Sequence, residues 1–85
     1  MNIKELKEVI ANLPDEMEVI LQKDSEGNGY SPLYCADPDS VYIPDSTWSG
    51  YVYSMDWTAE DACMNDEEWE DIKSKPRSLV LCPVN

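Results

Sequence analysis

Eight of the sixteen residues from Asp56 to Asp71 are carboxylates: Asp56, Glu60, Asp61, Asp66, Glu67, Glu68, Glu70 and Asp71. Acids at this density do their chemistry by charge. They repel phosphates, attract basic protein surfaces and accelerate encounter with them over long range. Trp57 and Trp69 lie within the run, and aromatics supply binding energy where charge supplies only encounter. The candidate partner-binding set is therefore Trp57, Glu60, Asp61, Asp66, Glu67, Glu70 and Asp71. Three readings stand side by side: a recognition face for a basic protein surface, a phosphate-like array that mimics nucleic acid, and a solvated face that only confers solubility. For Trp69, the three-residue spacing to Ile72 is that of an ordinary core position on a helix. Paired carboxylates for glycoside hydrolysis can be drawn from eighteen acids in too many ways to single out any pair.

Other constellations are thinner. Asp24-Ser25-Glu26-Gly27-Asn28-Gly29 carries acids or an amide at its first, third and fifth positions. With a glycine at the sixth, this resembles the start of a calcium loop, which also takes a bidentate glutamate at the twelfth. The sixth position is Gly29, while the twelfth is Cys35, and Pro32 interrupts the loop, so a plain turn competes with weak cation binding. Structural zinc takes four nitrogen or sulfur ligands, whereas this chain has three cysteines and no histidine. A nucleophilic serine or cysteine lacks the commonest base, and neither a phosphate-binding loop nor a dinucleotide fingerprint occurs. The expectation is a protein that is not an enzyme and uses no cofactor or metal.

Charge and composition frame these motifs. From Asp24 to Ile72 there are thirteen acids and no Lys or Arg, while the other 36 residues hold five acids and six bases. One stretch therefore carries the whole excess of a net charge of −12. Direct nucleic-acid binding is unfavourable, because that affinity rests on cations neutralising phosphates, and anionic lipid is repelled in the same way. With 85 residues, three Trp and five Tyr, the chain is expected to fold as a single domain, residues 1–85. MNIKELKEVI reads as an amphipathic helix rather than a signal peptide, and no apolar run reaches the length of a membrane span. A cytoplasmic setting follows as an expectation, with Cys35, Cys63 and Cys82 reduced; a Cys35–Cys82 disulfide is the alternative.

The elements that must position these residues can be read from spacing and caps. Asn2 with Glu5 matches a capping box, and Ile3, Leu6, Val9, Ile10 and Leu13 recur at helical spacing before Pro14. Alternation over Met17–Lys23 predicts a strand. Tyr30–Ala36, Val41–Ile43 and Tyr51–Tyr53 are β-prone, with a turn expected at Asp37–Ser40, and Tyr51 and Tyr53 should share a face. Thr58 with Asp61 opens a short helical segment, Ala59–Met64. Asn65 with Glu68 opens a second, Asp66–Lys73. Ser78–Cys82 reads as an inner strand. The order α-β-β-β-β-α-β points to an α+β fold: a small antiparallel or mixed sheet, the N-terminal helix packed on it, and short acidic helices before the last strand.

IKELKEVIANLPDEMEV (Ile3–Val19), GNGYSPL (Gly27–Leu33) and LVLCPVN (Leu79–Asn85) together resemble small uncharacterised phage and prophage proteins, which open with a helix of ELxxxLxxLP type followed by a strand. The resemblance implies a mobile-element origin and action in the cytoplasm of a bacterial host. It supplies no catalytic residue. Ser54–Ser74 departs from the pattern and is where the specificity of this member is expected to lie. The resulting expectation is a phage-type acidic protein that binds a basic surface of a host or phage protein, inhibiting a host enzyme or a defence system. The alternatives are a nucleic-acid mimic and an accessory protein.

Overall fold

The computed structural model describes residues 1–85. In chain order the elements are α1 (Ile3–Ile10), β1 (Ile20–Gln22), β2 (Tyr30–Pro44), β3 (Gly50–Ser54), α2 (Asp66–Lys73) and β4 (Ser78–Pro83). All strand pairing is antiparallel, so the fold is α+β with an antiparallel sheet and not a mixed one. The chain divides into two compact units, Met1–Pro32 and Leu33–Asn85.

The first unit is built on local signals. The Asn2 side chain accepts from the Glu5 amide at 2.9 Å, and Glu5 returns the contact to the Asn2 amide at 3.3 Å, which is the expected capping box. α1 then ends at Ile10, one turn short of Leu13. No residue of α1 is fully buried, and Leu6 alone along it is half-buried. Ile3, Val9, Ile10 and Leu13 are all exposed. The strand expected over Met17–Lys23 shrinks to Ile20–Gln22, paired as Ile20↔Pro32, Leu21↔Ser31 and Gln22↔Tyr30. Pro32 offers no N–H, and the ladder stops there.

In the second unit the sheet is organised around β2, which fuses two β-prone runs that sequence separates. The turn expected at Asp37–Ser40 is instead an irregularity within the strand. β2 advances from Asp37 to Ser40 while its partner β4 advances only from Val80 to Ser78, so β2 carries an extra residue there. The Asp37 carboxylate accepts from the Asp39 amide at 2.8 Å and from the Ser40 hydroxyl at 2.8 Å, and these bonds hold the bulge. Ser40 pairs with both Ser54 of β3 and Ser78 of β4, which places β2 between them. β4 has β2 as its only strand neighbour and alternates half-buried with exposed residues; it is an edge strand rather than the inner one expected.

The core lies on one face of β2 and β3. Val41 (1% exposed), Trp69 and Ile72 are buried, with Ile43, Tyr53, Met55, Ala59, Ala62 and Met64 packed around them. Val41 pairs with Tyr53 and Ile43 with Tyr51, so Tyr51 and Tyr53 do point the same way. At the start of β3 only glycine fits. A Cβ on Gly50 would stand 2.5 Å from the Ile43 carbonyl oxygen and 2.7 Å from the Tyr42 ring.

Candidate functional site

The acidic segment is positioned by two consecutive helical turns in the second unit. In the first, the Thr58 hydroxyl accepts from the Asp61 amide at 3.2 Å and the Asp61 carboxylate accepts from the Thr58 amide at 2.9 Å. The expected helix at Ala59–Met64 closes after this one turn. The Met64 amide reaches the Ala59 carbonyl at 2.9 Å and the Cys63 amide reaches that of Glu60 at 3.0 Å, a Schellman closure. Closure puts Cys63 at φ 58°, the left-handed region where glycine is the usual residue. Ala59, Ala62 and Met64 turn toward the core, and Glu60 and Asp61 stay exposed.

The second turn begins α2. Asn65 and Glu68 form a capping box at 2.8 and 3.2 Å. Trp69 and Ile72 face inward, so geometry alone sends Asp66, Glu67, Glu70 and Asp71 to solvent. Asp66, Glu67 and Glu68 sit where the helix dipole favours anions.

Basic partners are distributed unevenly. The second unit contains eleven acids and three bases. All three bases are engaged: Lys73 with Glu70 at 3.2 Å, Lys75 with Asp71 at 3.8 Å, and Arg77 with Asp39 at 3.3 Å. The proposed set therefore divides. Glu70 and Asp71, at the C-terminal end of α2, are partly compensated, and Asp61 is occupied as a cap. Glu60, Asp66 and Glu67 have no cationic partner.

Trp57 stands at the entrance to this segment, 42% exposed. Its ring meets Tyr53 edge-on at 6.3 Å, and Tyr53 in turn meets Trp69 at 6.4 Å. The exposed indole is thus braced through Tyr53 to the core, so little side-chain entropy remains to be lost on binding. Trp48, which the set omits, is 85% exposed. Its loop is held by bonds from Ser49 Oγ to Asp45 at 2.6 Å and from the Trp48 and Ser49 amides to Ser46 Oγ at 3.3 and 3.1 Å. The sequence signal for it was serine-rich turn chemistry flanking a lone tryptophan.

In the first unit, the loop that resembles a calcium site is closed on itself. Asp24 Oδ1 accepts from the Glu26 and Asn28 amides at 2.9 and 3.1 Å, and Oδ2 accepts from the Asn28 side chain at 3.1 Å. These bonds, led by that of the Asn28 amide, hold the Asp24 carboxyl below its ordinary pKa. The same loop sets Gly27 at φ 76°. No group of three or more Cys, Asp or Glu side chains is placed to hold a metal ion. Also in the first unit, Ile10, Leu13, Pro14, Met17 and Val19 line an apolar groove of about 390 Å³.

No helix is long and apolar enough to cross a membrane. Compared with family models, curated proteins and solved structures, the chain matches none.

Proposed function

We propose that this protein is a non-enzymatic binding module that docks the segment Trp57–Asp71 on a basic surface of another protein. One observation carries the reading: every base of the second unit is already paired, yet Glu60, Asp66 and Glu67 stay uncompensated on two capped turns beside a braced, half-open tryptophan. Uncompensated charge supports steering, and Trp57 supports affinity once contact is made. Glu70 and Asp71 contribute less, because Lys73 and Lys75 offset their field. The phage-type resemblance of the chain ends extends the proposal to a host or phage protein in a bacterial cytoplasm, with inhibition of a host enzyme or defence system as the outcome.

The test is affinity capture from bacterial lysate at low salt, comparing the wild type with Trp57→Ala and with the combined Glu60→Lys, Asp66→Lys, Glu67→Lys variant. The expected result is one stoichiometric protein held by the wild type, released by raised salt and lost with both variants. A partner that is a nucleic-acid-binding protein, and that duplex DNA or RNA displaces, would turn the reading into nucleic-acid mimicry. No stoichiometric partner, or one that both variants retain, would leave the carboxylates a solubilising role only.

A further inference from the structure

The register of the second unit sets two of the three cysteines directly opposite each other: Cys35 of β2 faces Cys82 of β4. Side chains of directly paired residues in an antiparallel ladder lie on the same face. Their Cα atoms stand about 4.5 or 5.5 Å apart, according to which kind of pair they form. Both separations fall within the span of about 4.4–6.8 Å that a disulfide bridges. Both cysteines are free thiols; Cys35 is exposed and Cys82 half-buried. The strand pair is irregular between Leu33 and Cys35, next to the cysteines, and a bulge there adds local freedom of twist. The Cys82 thiol donates to the Val80 carbonyl at 3.9 Å, and its pKa is raised first by the neighbouring Cys35 side chain, then by burial and by the charges of Cys35 and Asp37. Cys63 lies on a separate turn, in the left-handed conformation described above, and serves as an internal control.

We propose that Cys35 and Cys82 are a redox-responsive pair that closes into a cross-strand disulfide when a low-molecular-weight disulfide, such as oxidised glutathione, reaches the exposed Cys35. Cys35 loses its proton and attacks one sulfur of the glutathione disulfide, whose S–S bond breaks to release a glutathione thiolate. Cys82 then loses its proton and attacks the Cys35 sulfur of the mixed disulfide, releasing the second glutathione thiolate. The two thiolates take up the two protons. Two protein thiols are oxidised and one glutathione disulfide is reduced to two thiols. The product ties the edge strand β4 to β2, so that the C-terminal segment can no longer peel from the sheet.

The experiment equilibrates the purified full chain with oxidised glutathione and counts free thiols, maps peptides without reduction and records thermal unfolding. Titratable thiols are expected to fall from three to one, a linked Cys35–Cys82 peptide to appear, and Tm to rise by about 5 °C or more. Cys63→Ser should still lose two thiols, from two to none, and keep the linked peptide and the rise in Tm, whereas Cys35→Ser should abolish these effects with reduced-state circular dichroism unchanged. A glutathione adduct that persists on Cys35 beside a free Cys82, a dimer linked between chains, or three thiols left untouched would overturn the proposal.

Discussion

The two units share one kind of helix start and differ in what stands behind it. α1 and α2 both span eight residues and both open on an Asn…Glu capping box with nearly the same distances. In α2 the box delivers Trp69 and Ile72 into a core with Val41, while in α1 no side chain is fully buried and only Leu6 is half-buried. A cap satisfies the first amides of a helix, worth about 1 kcal/mol, but each fully buried large apolar side chain adds about 1.5–3 kcal/mol. A capping box thus defines where a helix begins. It does not decide whether that helix is anchored.

The strongest way to break this contrast is to truncate one apolar residue in each unit. Trp69→Ala is expected to cost about 3–5 kcal/mol in urea unfolding followed by tyrosine and tryptophan fluorescence, while Ile10→Ala costs under about 0.5 kcal/mol. Equal losses would show that the first unit has a core of its own. A smaller effect, of opposite sign, is expected at the closure of the 58–64 turn. Cys63 adopts φ 58° with an exposed side chain, so Cys63→Gly should raise stability by about 1 kcal/mol. Loss of stability there would mean that the thiol makes contacts of greater worth than the strain.

The smallest effect sharpens the comparison through two carboxylates, one in each unit. Asp24 is held below its ordinary pKa first by the Asn28 amide, and Asp37 first by the Asp39 amide and then by the Ser40 hydroxyl. A carboxyl whose pKa is depressed by folding lends stability above its unfolded value of about 3.9 and loses it as pH falls through the lower folded value. Both groups should therefore titrate below that value in a carbon NMR pH series. Asn28→Ala removes one of the bonds to Asp24, from the side chain, and should raise its midpoint toward the ordinary value while leaving that of Asp37 in place. Movement of both would deny that the two sites are independent.

Short-range chemistry was legible without coordinates. Both capping boxes, the Thr58–Asp61 pair, the shared face of Tyr51 and Tyr53 and the inward spacing of Trp69 and Ile72 depend on residues a few positions apart. The segregation of acids is likewise a property of the chain itself. Asp37–Ser40 misled for a physical reason: Pro and Asp mark turns locally, but strand partners on both sides of Ser40 hold the backbone extended and reduce the turn to a bulge. The span of β1 was overstated because alternation alone cannot reveal that its partner residues stop at Pro32. The candidate site was visible as a list of acids. Which of them keep an unopposed charge was not, because that depends on the reach of Lys73, Lys75 and Arg77 in space.

By itself the sequence determined where helices begin, which runs favour strands and which stretch carries the negative charge, since each is settled by neighbours along the chain. Only the tertiary structure decided that β2 is one strand, that Cys35 meets Cys82, and that α2 carries two buried side chains while α1 carries none. Those outcomes need partners dozens of residues away, whose pairing and burial leave no trace in local spacing.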